Sequence, residues 1–136
     1  MGRKDWATPW YEFFQWHSKY DFTIDAAADK SNTKLPRFWS EEDNGLLQDW
    51  TGERVFLNPP YDSSLYSWCA KAAEFKAELV FMLLPPSTDT KWFHDFFWDK
   101  NTHIWRPRVE GNFLSKRIKF VGGDSPRAGN LTAVFR

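Results

Sequence analysis

Sulfur chemistry is nearly absent from this sequence, whose 136 residues include one cysteine, Cys69, and two methionines. A lone cysteine excludes an internal disulfide framework and any zinc centre built from several thiolates. The three histidines, His17, His94 and His103, stand far apart without ligand spacing, so no metal is expected. Long apolar runs are also missing. The longest, Leu79 to Leu84, is far too short to span a bilayer, so no membrane partner is expected. Met1-Gly2-Arg3-Lys4-Asp5-Trp6 leads into no signal-peptide core. Net charge is missing as well: 18 basic and 18 acidic side chains cancel, which counts mildly against a constitutive nucleic-acid binder. What is left is a soluble, cytoplasmic chain whose length suits a single domain over residues 1–136.

Aromatic residues are what the chain has in excess, with 9 Trp, 13 Phe and 4 Tyr making 19% of it. Such rings fill cores, but they also stack on planar ligands such as nucleobases. The zero net charge is itself a sum of unlike parts. Residues 1–99 carry 10 basic and 16 acidic side chains, whereas residues 100–136 carry 8 and 2. A basic segment of that kind suits a polyanion or, equally, a solvated face.

Thr8-Pro9 reads as a helix start, with Thr8 as cap and Pro9 at the first helical position. Trp10, Phe13, Phe14 and His17 follow at helical spacing. Residues 22–24 read as a strand ending at Asp25, and residues 29–53 as mostly loop with a short helix around 44–48. Residues 55–57 and 79–84 are strands, the second the best buried. Between them a helix over 63–76 puts Leu65, Trp68, Cys69 and Ala72 on one face. A helix over 91–98, a strand over 102–105, and strands over 118–121 and 131–135 complete the pattern. This alternation predicts an α/β fold with a mainly parallel sheet and an antiparallel C-terminal strand pair. Ligands in such sheets sit beyond the carboxyl ends of the strands, where Asp25, Asn58 and Pro85 fall.

Asn58-Pro59-Pro60-Tyr61 bears the chemistry. Paired prolines cannot continue a ladder, so directly after a buried strand they build a rigid turn. The Asn58 side-chain oxygen and the Pro59 carbonyl can each accept one N–H bond from a planar amino group. Drawing those hydrogens out of plane restores lone-pair density to a nitrogen that conjugation makes weakly nucleophilic. Tyr61 offers a ring to stack on the substrate. Placement and electrostatics then carry the rate, with no base of tuned pKa. The plainer reading is a strand-ending turn in which Tyr61 only packs.

Val55-Phe56-Leu57-Asn58-Pro59-Pro60-Tyr61 resembles the catalytic motif of S-adenosylmethionine-dependent amino-methyltransferases. Over nearly the whole chain the motif order is similar to that of small phage-type DNA N-6-adenine methyltransferases, the Dam-like family. The other matching pieces are Trp6-Ala7-Thr8-Pro9, Phe22-Thr23-Ile24-Asp25-Ala26-Ala27, Gly45-Leu46 with Asp49-Trp50, and Leu83-Leu84-Pro85 with Thr88-Asp89-Thr90 and Trp92-Phe93. Arg117-Ile118-Lys119-Phe120 ends the series.

The resemblance implies a reduced Rossmann-like class I methyltransferase fold with S-adenosylmethionine as cofactor and no separate target-recognition domain. Thr8 and Pro9, with Trp6 beside them, would face the donor's carboxylate at a helix N-terminus. Asp25, followed by Ala26 and Ala27, would hold its ammonium group. Asp43 and Asp49 are candidates for its ribose or adenine, each with a rival reading as a cap or loop residue. Asn58 would touch both donor and substrate. Ala26-Ala27-Ala28 stands where many methyltransferases carry a Gly-rich loop, which argues against a dinucleotide more than against this donor. DNA is the implied partner, with the target adenine flipped onto Tyr61. Trp92 or Phe93 would wall the pocket, although their spacing also suits a core stripe. Lys116, Arg117, Lys119 and Arg127 are candidates for phosphate contacts. The resemblance places the chain in the bacterial cytoplasm as a phage or prophage protein, and leaves a homodimer open. The competing functions are a protein glutamine methyltransferase, whose amide substrate is also a planar amino group, and an inactive nucleic-acid-binding module.

Overall fold

Six consecutive apolar residues, Leu79–Leu84, are all buried, as befits a strand covered on both faces. They form the middle of a five-stranded sheet in a computed structural model that describes residues 7–115, 117–120 and 129–136. In chain order the elements are helix α1 (Trp10–Tyr20), strand β1 (Ile24–Asp25), a 3-10 turn (Gly45–Leu47), β2 (Arg54–Leu57), α2 (Leu65–Ala72) and β3 (Leu79–Leu84). Then come α3 (Lys91–Phe96), β4 (Trp98–Asp99), β5 (Ile104–Trp105), β6 (Val109–Phe113) and β7 (Leu131–Phe135). The sheet order is β1-β2-β3-β7-β6, with β4 and β5 as a separate antiparallel pair. β1, β2 and β3 run parallel, and β7 is antiparallel to both β3 and β6. The chain is thus a mixed α/β structure. Among the described residues no helix is long and apolar enough to cross a membrane.

Alternation along the strands sorts the core into two layers. Phe56, Leu79, Phe81 and Val134 point to one face and pack with Phe13 and Tyr20 of α1 and with Phe22 and Leu35. Val55, Leu57, Val80, Met82, Leu84, Ala133 and Phe135 point to the other, against Trp68 and Cys69 of α2 and Trp92 and Phe93 of α3. Much of the aromatic excess is therefore core. Phe13 meets Phe56 edge-on at 5.0 Å, and Phe97 meets Phe135 edge-on at 5.1 Å. Burial pushes the Cys69 thiol up from its ordinary value, which makes it an inert core residue.

Local expectations need correction at the start of α1 and at the strand beside β7. Pro9, not Thr8, occupies the N-cap position of α1, and no side chain caps that helix. Thr8 is turned inward instead and is almost fully buried. The strand that pairs with β7 is β6, residues 109–113, rather than 118–121. Residues 117–120 form no strand, while Val121 and residues 122–128 lie outside the described residues. Ile118 and Phe120 are nonetheless buried, packing on Leu83 and Trp16. Burial of Ile118 and Phe120 leaves Arg117 and Lys119 exposed on either side of Ile118.

The 3-10 turn is pinned against the loop after β1. Trp50 donates its indole N–H to the Gly45 carbonyl at 2.8 Å within the core. A Cβ on Gly45 would lie 2.5 Å from the Ala26 carbonyl oxygen and 2.9 Å from the Trp68 ring. Backbone cannot yield as a flexible side chain does, so Gly45→Ala is expected to cost about 2–3 kcal/mol. A thermal unfolding midpoint lower by at least about 5 °C would register it; an unchanged midpoint would contradict the close approach.

Candidate active site

The parallel register brings the carboxyl ends of β1, β2 and β3 to one edge of the sheet. Asp25 pairs with Phe56, and Leu57 with Met82, so Asp25, Asn58 and Pro85 emerge side by side. The antiparallel strand β7 starts at that edge, because Leu84 pairs with Leu131. Asn130 therefore joins them.

Asn58 is 7% exposed and donates Nδ2 to the Thr8 hydroxyl oxygen at 3.1 Å. That bond fixes the orientation of the amide, with Oδ1 as its acceptor atom in a buried position. Pro59 is buried and Pro60 half-buried, which holds the backbone of the turn. Tyr61 reaches back to β3, donating its hydroxyl to the Leu83 carbonyl at 3.0 Å.

Two separate cavities flank this loop. The first is lined by Thr8, Asp25, Ala27, Ala28, Lys34 and Asn58, with Ala7, Asn32 and Phe56. Asp25 is only 3% exposed and accepts the Lys34 backbone N–H at 3.0 Å on Oδ2. The intervening loop is folded back by Asp29, whose Oδ1 accepts from the Ser31 backbone N–H at 2.8 Å and from that of Asn32 at 3.1 Å. Burial pulls the Lys34 ammonium below the ordinary lysine range, and the Asp25 charge partly opposes that shift. The Lys34 ammonium also lies 4.5 Å from the centre of the Trp10 ring, at the start of α1. One wall thus holds a carboxylate and an ammonium close to a helix N-terminus, where backbone donors and the helix dipole favour an anion. The alanines keep the wall low, and none of residues 26–28 has a positive φ. The missing glycines are therefore not needed for the turn.

The second cavity, of about 460 Å³, is lined by Tyr61, Asp62, Leu65, Tyr66, Pro85 and Trp92, with Ser63, Ser87 and Lys91. Its volume lies in the range of small-molecule sites. Tyr66 donates its hydroxyl to Asp95 at 2.6 Å, and Lys91 pairs with the same carboxylate at 2.5 Å. Trp92 serves twice, as a core residue and as a wall of this cavity, whereas Phe93 belongs to the core alone.

The structure brings Thr8, Asp25, Ala27 and Asn58 to the first cavity and Tyr61 to the second. Pro9 stands beside Thr8 at the helix start, and Ala26 is fully buried behind the wall. Asp43 and Asp49 are not among the lining residues. Asp43 closes a turn by accepting the Ser40 N–H at 2.9 Å, and Asp49 accepts that of Thr51 at 3.0 Å. That bond holds the exposed Asp49 carboxyl below the usual range. Trp6, Lys116 and Arg127 lie outside the described residues.

Sequence reasoning missed Lys34, Asn32 and Asn130. An Asp-x-Ser-Asn turn after the first strand is the one signal that could have returned Lys34 to Asp25. Asn130 carries no local signal.

A protein-family profile described as DNA N-6-adenine-methyltransferase (Dam) matches residues 2–133. Among curated proteins, the DNA N-6-adenine-methyltransferase of Haemophilus phage HP1 (strain HP1c1) is 35% identical over 92 residues, covering 65% of this chain and 53% of that protein. The DNA N-6-adenine-methyltransferase of Escherichia phage T1 is 32% identical over 122 residues, covering 82% of this chain and 50% of that protein. The chain spans about half the length of these relatives.

Proposed function

We propose, since this chain belongs to the DNA N-6-adenine-methyltransferase (Dam) family, that residues 1–136 act as one domain transferring a methyl group from S-adenosylmethionine to the exocyclic amino group of adenine in DNA. One observation carries this reading: Asn58 and Tyr61, at the two ends of a rigid loop, line two different cavities. The first is charged as a zwitterion requires; the second is walled with rings as a base requires. The parallel β1-β2-β3 arrangement, closed by antiparallel β7, supports a reduced Rossmann-like class I methyltransferase fold.

The charges of the donor-side residues match those at the amino-acid end of that cofactor. Asp25 takes its ammonium group, while Lys34 and the α1 N-terminus with Thr8 and Pro9 take its carboxylate. S-adenosylmethionine supplies, when bound, an electrophilic methyl group on a sulfonium centre. On the substrate side, the Asn58 Oδ1 and the Pro59 carbonyl accept the two amino hydrogens of a flipped adenine. That pulls the nitrogen out of conjugation and aims its lone pair toward the first cavity. Tyr61 and Trp92 enclose the base and exclude water. Arg117 and Lys119, exposed on either side of the buried Ile118, contact phosphates. The phage origin of the relatives supports a phage or prophage protein in the cytoplasm of a bacterial host.

Incubation with isotopically labelled donor, in parallel with duplex DNA and with glutamine-containing peptides, tests the assignment. Label is expected in the DNA alone. Label confined to the peptide would replace this reading with protein glutamine methylation. Donor binding without transfer to either substrate would point to an inactive module.

A further inference from the structure

We infer that Asn130 is a positioning residue for the catalytic loop, locking the Tyr61 ring against the end of β3 so that its face is presented to the second cavity. The inference rests on the base-stacking role proposed above for Tyr61. Asn130 is separated from Tyr61 by 69 residues, yet it is 5% exposed and sits at the same sheet edge. An amide nitrogen carries two hydrogens, and both are committed here. Asn130 Nδ2 donates to the Leu84 carbonyl at 3.0 Å and to the Tyr61 hydroxyl oxygen at 3.3 Å. That hydroxyl in turn donates to the Leu83 carbonyl at 3.0 Å. The Asn130 backbone is itself held, its carbonyl accepting the Leu114 N–H at 3.0 Å.

Three points of the fold are thereby tied together: the last two residues of β3, the loop after β2 and the residue before β7. A phenol anchored at its hydroxyl as well as at its Cβ cannot swing away from the cavity. Its ordering is complete before the base arrives, which removes an entropic cost from stacking. The same geometry assigns the Tyr61 hydroxyl an orienting role, because its proton is already given to the Leu83 carbonyl. Few side chains would serve at position 130. Aspartate has no hydrogen to donate, serine has one, and glutamine is longer by a methylene.

The test uses Asn130→Ala, Tyr61→Phe and the double variant in the full chain, with kcat and KM on DNA and donor Kd measured for each. Both single variants are expected to lower kcat by about fivefold to tenfold, with donor Kd within about twofold of wild type. The double variant should be no worse than the poorer single one, because both changes cut the same link. Tyr61→Phe should leave the pH profile of kcat unmoved. Multiplying losses in the double variant, wild-type kcat in Asn130→Ala, or a pH profile shifted by Tyr61→Phe would each overturn the inference. A second readout needs no turnover and no Asn130 variant. The Asn130 side-chain amide protons, followed by NMR, should exchange markedly faster in Tyr61→Phe than in wild type; unchanged exchange would refute the contact. No DNA methylation by the wild-type chain, together with faster exchange in Tyr61→Phe than in wild type, would sink the methyltransferase reading and leave the Tyr61–Asn130 link standing.

Discussion

Asn58→Ala is expected to lower methyl transfer by about 10³-fold while leaving donor Kd within about threefold of wild type. The loss is large because the amide oxygen interacts most strongly with the amino group as it loses conjugation, in the transition state rather than in the bound ground state. Donor affinity survives because the charged residues of the first cavity, Asp25 and Lys34, are retained. Asn58→Asp separates the acceptor from the amide's second task. It retains an oxygen toward the substrate but loses the Nδ2 donor to Thr8, whose hydroxyl can rotate and donate instead. About 10- to 100-fold loss is expected for that variant, intermediate between wild type and alanine. Single-turnover rates with saturating donor and DNA distinguish the two. Equal activity in wild type and Asn58→Ala would remove Asn58 from the chemistry.

Asp25→Ala is expected to raise donor Kd by about 100-fold or more, with much less effect on the rate at saturating donor. Two losses combine. The donor's ammonium group forfeits a carboxylate that is only 3% exposed, where water screens it poorly. The Lys34 backbone N–H also loses its 3.0 Å acceptor, which loosens the loop that brings Lys34 to the cavity. Asp25→Asn keeps an acceptor for that N–H and removes only the charge, so its Kd should fall between the two. Calorimetric titration with the donor checks both variants. A donor affinity unchanged in Asp25→Ala would move the donor out of the first cavity.

Local chemistry made part of this site legible in the sequence. A six-residue apolar run can only be a covered strand or a short piece of buried helix, and Pro85-Pro86 at its end decides for a strand. Asn58-Pro59-Pro60-Tyr61 declares itself in the same way, because two prolines after an apolar run leave few conformations. Other parts depend on partners far away in the chain. Thr8 has the chemistry of a helix cap, and a residue 50 positions later draws its hydroxyl inward instead. β6 is hard to see because Val-Glu-Gly-Asn-Phe has one buried residue, Val109. Its glycine is explained only by tertiary structure: a Cβ at Gly111 would lie 2.2 Å from the Trp105 ring. Residues 118–120 misled in the opposite direction, since their alternation reflects packing on Leu83 rather than a ladder. Asp43 and Asp49 have the composition of ligands and the hydrogen bonds of turn residues.

The Asn58–Tyr61 loop is proposed to direct a methyl group onto the amino nitrogen of adenine. Mass analysis of nucleosides, released from DNA after incubation with wild-type chain and S-adenosylmethionine, tests it most directly. N6-methyladenine should accumulate with wild type and fall to background with Asn58→Ala. Methylcytosine as the sole product, or N6-methyladenine formed equally by both proteins, would contradict the account.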